Sequence, residues 1–244
     1  MLIRTSELKN FQLLATDGDI GRAPDFLFDD EKWTIRYMVA NTGKWLLGQK
    51  VLISPGFLKS PDLSDERMPL SISKDQVEHA PPIEEDQPVS RQYEQVYADY
   101  FKHGYYWVGG SVWGVGHTPY DIATPEETTQ TITEADDDEH LRSAEEVTGY
   151  RVYAGKEHVG YVDDFVLDTA NWTVLLIGID THKWLPGKSF MLPVAWASDI
   201  SWTDRSLTID VDEEQLKSAP EFGDDQIAVK DVARLYKHFG RSQA

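Results

Sequence analysis

Two acidic residues are the first candidates for chemistry in this sequence. Asp29 and Asp168 each stand four residues before a tryptophan. Paired carboxylates can serve as general acid and base or as metal ligands. Each Asp also lies in a polar turn between strand-like segments, where its carboxylate would accept backbone N–H bonds. Because both recur beside a Trp at the same hairpin position, we interpret them as turn residues and predict no catalytic residues.

The remaining motifs also argue against an enzyme or a metal protein. No two of the seven histidines have the i, i+4 spacing of a helical zinc site, and HExxH is absent. The absence of cysteine excludes thiolate metal sites, cysteine nucleophiles and disulfides. Gly-x-Ser-x-Gly, Walker and Rossmann motifs are also missing. We therefore predict no catalytic activity, no metal and no cofactor.

An uncharged segment rich in aromatic residues and glycine, residues 105–116, is the best candidate for binding. Exposed aromatic surface marks sites of protein interaction. The alternative is a plug that packs between two folded units, and both uses are compatible if the segment seals a dimer. The candidate interaction surface consists of Tyr105, Tyr106, Trp107, Val108, Val112 and Trp113.

The elements that would position these residues are duplicated. The sequence aligns with itself at an offset of 139 residues, without a gap, from Gly18 to Pro81. We expect the shared glycines to adopt backbone conformations that a Cβ would forbid, and the shared tryptophans to pack in the core or at strand edges. The positions that define the repeat are Gly21, Asp29, Trp33, Trp45 and Gly48, which match Gly160, Asp168, Trp172, Trp184 and Gly187.

Each copy shows the pattern of short strands. Residues 33–40 alternate, with Ile35 and Tyr37 on one face and Arg36 on the other, which is typical of a half-buried strand. Five or six short strands in about 75 residues predict a small β-barrel or rolled sheet. Further strands are predicted at 50–54, 68–73, 189–193 and 207–211, and helices at 74–78, 90–103, 212–217 and 227–239. Ser90 would cap the second of these helices and Gly104 would end it.

Composition restricts the partners and the location. The chain is 41% hydrophobic and 11% aromatic, as expected for a folded protein. A formal charge of −19 repels phosphate backbones and anionic lipids, so we predict no nucleic acid partner. This charge serves solubility, with a saline habitat or a basic protein partner as alternatives. Without a signal peptide or a long apolar run, the sequence predicts a cytoplasmic protein with no membrane insertion.

The repeated Gly-x-x-x-Asp-Phe, Asp turn, Trp-Thr, second Trp and following Gly resemble the PRC-barrel family. That family includes the cytoplasmic domain of the photosynthetic reaction centre H subunit and the C-terminal domain of a ribosome maturation factor. The chain looks closest to stand-alone bacterial proteins with two such barrels. The resemblance implies a mainly β fold of two tandem small β-barrels. The domains would be repeat 1 at 1–81, a linker at 82–139 with the first long helix and the aromatic segment, repeat 2 at 140–220 and a helical tail at 221–244.

The resemblance also implies a function. Family members mostly bind proteins and share no catalytic residues, so we expect a non-enzymatic protein-binding or scaffold protein. Its partner is another protein or a second copy of the chain in a homodimer. The alternative is a protein that binds a small ligand or metal in a cleft between the barrels. The reaction centre H subunit is anchored by an N-terminal membrane helix that this sequence lacks, which argues against a role in a reaction centre.

Overall fold

The computed structural model describes residues 1–43, 45–46, 48–83, 89–122, 141–181, 184, 188–220, 222 and 227–241. This part of the chain is mainly β, as predicted, with thirteen strands and six α-helices. It divides into two compact units. The first unit comprises Glu7–Ser143 and Ala170–Trp172, and the second comprises Met1–Ser6, Ala144–Thr169 and Thr173–Ala244.

The elements follow one another in two similar series. The strands are β1 (Leu2–Arg4), β2 (Gln12–Ala15), β3 (Gly18–Asp29), β4 (Thr34–Asn41), β5 (Lys50–Ile53), β6 (Arg67–Pro69), β7 (Leu141–Ser143), β8 (Arg151–Ala154), β9 (Glu157–Asp168), β10 (Thr173–Asp180), β11 (Ser189–Pro193), β12 (Ala197–Ser201) and β13 (Ser206–Ile209). The helices are α1 (Thr5–Leu8), α2 (Lys74–Glu78), α3 (Arg91–Phe101), α4 (Ala144–Val147), α5 (Glu213–Lys217) and α6 (Val229–His238), with 3₁₀ turns at Pro55–Phe57 and Val194–Trp196.

The strands of the two units follow the same order, except that the second unit has one additional strand, β12. In the first unit the order is β5-β4-β3-β2-β6, antiparallel except for the parallel pair β2–β6. In the second unit it is β11-β10-β9-β8-β13-β12, again with one parallel pair, β8–β13. Matching elements begin 139 residues apart, as β3 and β9 do. The duplication detected in the sequence therefore recurs in the fold.

The first strand of each repeat lies in the unit formed by the other repeat. Strand β1 pairs antiparallel with residues 166–168 of β9, in the second unit. Strand β7 pairs in the equivalent register with residues 27–29 of β3, in the first unit. Each compact unit therefore contains residues from both predicted repeats. The predicted domain boundaries at 81, 139 and 220 stay a prediction.

The predicted closed barrels are not what the strand ladders form. Among the described residues, no pairing joins β5 to β6, or β11 to β12, so both sheets are open. At β5 the reason is visible. The hydroxyl of Tyr97 accepts the Ser54 N–H at 3.0 Å and donates to the Leu52 carbonyl at 3.1 Å. Pro55 follows and has no N–H to offer. The outer edge of β5 is therefore occupied by helix α3 rather than by another strand.

Strand β4 is buried on both faces, so the prediction of a half-buried strand is wrong. Every residue from Thr34 to Ala40 is buried, including Arg36 and Met38 on the face predicted to be exposed. Period-two alternation cannot show whether the second face is covered. At Arg36 the cover comes from the aromatic segment, which belongs to neither repeat.

The helices agree well with the sequence prediction. Helix α2 spans the predicted residues, and the Ser90 hydroxyl caps α3 by accepting the Tyr93 N–H at 3.2 Å. Helix α3 ends at Phe101, before the predicted stop at Gly104, because Lys102 adopts a left-handed φ of 52° as the C-cap. The last helix, α6, lies within the predicted residues 227–239.

Candidate interaction surface

Asp29 forms a buried ion pair within the first unit. Its carboxylate accepts the backbone N–H groups of Glu31 at 3.1 Å and Lys32 at 2.9 Å, which is the turn role inferred from the sequence. It also accepts a hydrogen bond from Nη2 of Arg36 at 2.8 Å. Burial raises the pKa of Asp29, but the Arg36 charge and these hydrogen bonds outweigh burial and hold the pKa below its ordinary value.

Asp168 has different surroundings, in the second unit. Its carboxylate accepts a hydrogen bond from the Met1 amino group at 2.8 Å and is partly exposed. The position that corresponds to Arg36 is Leu175, so the buried cation is absent from the other repeat. The two aspartates therefore belong to different units and serve different local contacts.

The aromatic segment packs against the side chain of Arg36. Its Nη1 donates to the Val112 carbonyl at 2.7 Å. The guanidinium lies over the ring of Tyr106 at 4.0 Å and over that of Trp113 at 4.8 Å. Arginine stacks well on aromatic faces when it is desolvated. The segment thus covers a buried charge that the sequence pattern had placed on an exposed face.

A second buried ion pair joins helix α3 to the aromatic segment. Glu94 accepts a hydrogen bond from Nη1 of Arg91 at 2.7 Å and another from the Tyr106 hydroxyl at 2.7 Å. Arg91 also donates to that hydroxyl at 3.1 Å and lies over the Trp107 ring at 4.4 Å. Tyr106 is therefore bonded to α3 while its ring packs on Arg36.

Burial gives Glu94 a distinctive pH dependence. It raises the pKa of Glu94 above the ordinary 4.5, although Arg91 and the hydroxyls of Tyr106 and Tyr37 offset part of the effect. The stability contributed by such a group is complete below pH 4.5 and is lost as the pH rises through the raised pKa. Glutamine cannot titrate. The free energy of unfolding of Glu94→Gln minus that of the wild type should therefore increase with pH above 4.5.

Urea denaturation at a series of pH values measures this difference. Glu78→Gln, which changes an exposed glutamate of α2, provides the control for an ordinary surface carboxyl. If the free energy of unfolding of Glu94→Gln minus that of the wild type decreases as the pH rises, the raised pKa of Glu94 is contradicted.

Tyrosine hydroxyls fasten the insert, defined as residues 89–122, to the rest of the first unit. Tyr93 donates to the Pro81 carbonyl at 2.7 Å and Tyr100 to the Gln76 carbonyl at 2.9 Å. Near the end of the insert, the Tyr120 hydroxyl reaches the Leu58 carbonyl at 3.0 Å. With Tyr97 on the edge of β5, these bonds hold both helix α3 and the loop that follows it.

The six residues predicted as an interaction surface do not form one exposed patch. Tyr106 is 6% exposed and Trp113 is 1% exposed, and the Trp113 indole N–H donates to the Asn171 carbonyl at 2.7 Å. Both are core residues of the first unit. The other four, Tyr105, Trp107, Val108 and Val112, are partly buried, and the rings of Tyr105 and Trp107 lie 5.0 Å apart.

The exposed apolar side chains of the insert are different residues. We define its outer face as Val96, Tyr100, Val115 and Tyr120, which are 58%, 40%, 57% and 54% exposed. This face is absent from the predicted surface, because Val96 and Tyr100 share the spacing of one helical stripe with Tyr97, and apolar stripes are normally buried. Of that stripe, Tyr97 is buried.

Comparison with known domains identifies part of the chain. The PRC-barrel domain model matches residues 139–216. The chain contains a PRC-barrel domain there. The match does not extend to residues 1–81 or to the insert. No curated protein matches the chain.

The first glycine and the first tryptophan of each repeat have similar backbone conformations. Gly160 and Gly21 have φ values of 153° and 109°, and a Cβ at either would collide with a carbonyl oxygen of the paired strand. These glycines therefore allow β9 to approach β10, and β3 to approach β4. Trp172 and Trp33 both occupy left-handed turns, with φ of 60° and 48°. Trp172 is buried and Trp33 is partly buried.

The second tryptophan of each repeat lies beneath a lysine. The Nζ of Lys217 lies 5.5 Å from the Trp184 ring in the second unit, and that of Lys74 lies 4.4 Å from the Trp45 ring in the first. Gly48 has a φ of 81° in the turn after Trp45. Gly187 lies outside the described residues.

The described part of the chain also bears on the metal and small-ligand alternatives. It contains no group of three or more His, Asp or Glu side chains placed to hold a metal ion. None of its helices is long and apolar enough to cross a bilayer. The polar groove of about 510 Å³ beside β2 is lined by side chains that already bond to one another, as Gln12 does to Asp19 and Arg67 does to Asp65.

Proposed function

We propose that this chain is a non-enzymatic protein-binding or scaffold protein whose contact surface is the outer face of the insert. One observation carries the proposal. Seven large apolar side chains are exposed among the described residues, and four of them belong to the insert. Exposed apolar side chains concentrated on one segment are typical of a surface that binds another protein.

The way the insert is held supports this use. Its inner side chains, Tyr106 and Trp113, are fixed on Arg36, and its tyrosines bond to backbone groups of the first unit. A surface fixed in this way loses little conformational entropy on binding. These contacts therefore hold the insert, which carries the outer face, on the first unit.

The charge of the chain indicates the kind of partner. A protein with a net charge of −19 repels acidic surfaces and attracts basic ones over several ångströms. We infer a partner protein whose contact surface is apolar at the centre and basic at the rim. Complex formation should then weaken as salt concentration increases.

We further propose that the first unit is a second copy of the PRC-barrel domain. Its strand order matches that of β11 to β13 in the second unit, including the single parallel pair. The matching glycines Gly21 and Gly160 have the same role in both. The function would then belong to two copies of a binding fold, of which one carries the insert.

Substitution of Val96 tests the proposed surface. We expect Val96→Lys to reduce the yield of the partner that co-purifies with the tagged chain from its native host by about tenfold, the loss expected for a contact worth about 1.4 kcal/mol. Val229→Lys is the matched control, because Val229 is 67% exposed on helix α6 and the charge change is the same. Equal retention by both variants would contradict the proposal.

A further inference from the structure

In each repeat, an Asp-Phe pair and the three strand residues after it bind a short strand from the other repeat. We call this site the receptor. It comprises residues 25–29 in the first unit and 164–168 in the second. In the second unit, Asp164 accepts hydrogen bonds from the Thr5 hydroxyl at 2.6 Å and from the Ser6 N–H at 3.2 Å, directly after β1. The Ser6 hydroxyl also donates to Asp164. The same carboxylate accepts the Phe165 N–H at 2.8 Å, which fixes its orientation.

The equivalent receptor in the first unit has the same chemistry. Asp25 accepts a hydrogen bond from the Ser143 hydroxyl of β7 at 2.6 Å and from the Phe26 N–H at 2.7 Å. Arg142 of β7 donates to Asp30 at 2.9 Å. Both incoming segments therefore bring backbone pairs to the end of a long strand and a hydroxyl to the aspartate, from Ser143 within β7 and from Thr5 directly after β1.

The backbone registers of the two receptors are also equivalent. Leu2 lies opposite Asp168 as Leu141 lies opposite Asp29, and the two pairs that follow keep this correspondence. Leu2 and Ile3 are buried. Each receptor thus binds a short strand that comes from a distant part of the chain, and nothing in its contacts requires that the strand belong to the same molecule.

We propose that a second copy of this chain can supply β1 to the receptor at Asp164, so that two copies exchange their first strands reciprocally. Such an exchange forms a closed two-fold dimer by contacts that the single chain already makes. Whether the strand comes from the same or another molecule then depends on protein concentration relative to the effective concentration set by the connecting chain. Strand β1 has only three residues, so few bonds are broken when it detaches.

Two single-cysteine variants test the exchange, since the chain has no native cysteine. Ile3 and Leu167 lie opposite each other, at the separation of antiparallel neighbours that a disulfide can span. Full-length Ile3→Cys and Leu167→Cys chains are mixed, unfolded, refolded together and oxidised. A disulfide between positions 3 and 167, identified by peptide mass spectrometry, can then form only between two molecules.

We expect this cross-link at protein concentrations of about 1 mM, and much less of it at about 1 µM, because a short connection gives effective concentrations in the millimolar range. The control mixture is Ile3→Cys with Ser198→Cys, since Ser198 is exposed on β12 and reports random collision. The cross-link should exceed that background by about tenfold. Light scattering on the wild type refolded at high concentration should show a dimer.

Absence of the cross-link would overturn the proposal if the double variant Ile3→Cys/Leu167→Cys still forms its internal disulfide. Where buried cysteines prevent folding, the neighbouring pair Arg4→Cys and Val166→Cys provides the same test. This proposal is independent of the protein-binding function, because neither receptor includes residues of the outer face.

Discussion

Replacing Arg36 with alanine is expected to lower the free energy of unfolding by about 3–5 kcal/mol, the cost of breaking a buried ion pair by removing one partner. The substitution leaves the buried carboxylate of Asp29 without its cation, which lies 2.8 Å away in the wild type. It also removes the support beneath Tyr106 and Trp113. Urea denaturation followed by circular dichroism measures the change.

Two further variants separate the ion pair from general packing. Arg67→Ala removes a cation from an exposed pair with Asp65 and should cost about 1 kcal/mol or less. The double variant Asp29→Asn/Arg36→Met leaves no uncompensated charge, while the Asn oxygen still accepts the turn N–H groups. It should therefore be more stable than Arg36→Ala. If Arg36→Ala costs no more than Arg67→Ala, Arg36 does not anchor the aromatic segment.

Replacing Trp113 with alanine is expected to cost about 3–5 kcal/mol, as for other large buried aromatic residues. Trp113 is 1% exposed, covers Arg36 and donates its indole N–H to Asn171. Its loss leaves a cavity next to a buried charge and opens a path for water to Arg36. Thermal and urea unfolding should both show the destabilisation.

Trp107→Ala is the matched control, because it removes the same residue type from the same segment. Trp107 is partly exposed and lies against Tyr105 and Arg91, so we expect a loss of only about 1 kcal/mol. Similar costs for the two substitutions would contradict the assignment of Trp113, rather than Trp107, as the core residue of the segment.

The local structure of this protein could be predicted because its signals are local. Alternating apolar residues predicted β4, and the Ser90 cap predicted the start of α3. The 139-residue offset predicted that the elements would recur, as β3 and β9 do. These features depend on neighbouring residues or on sequence identity between the copies, which a single sequence displays.

The pairing of each first strand with the other repeat of the same chain could not be predicted from the sequence, and the reason is physical. Strands β1 and β7 occupy equivalent registers, so each would fit its own repeat as well as the other in hydrogen-bonding pattern. Periodicity reports which face of a strand is buried and not which partner it pairs with. Similarly, the edge of β5 is occupied by Tyr97, a contact between distant segments.

The candidate surface was predicted only in part, because the insert has no second copy for comparison. Tyr106 and Trp113 were selected for their aromatic character, yet that character serves a buried Arg36. A charged residue within an otherwise apolar strand, together with a long uncharged aromatic segment, was the available signal. Glu94 gave no such signal, since a single acidic residue in a helix is normally exposed.

Hydrogen–deuterium exchange of the full chain, alone and with the partner that co-purifies with it, tests the central claim most directly. We predict slower exchange in peptides from the outer face of the insert, those containing Val96 to Tyr100 and Val115 to Tyr120. Peptides from the PRC-barrel domain at residues 139–216 should be unchanged. Protection confined to that domain, with the insert unchanged, would contradict the assignment of the insert as the contact surface.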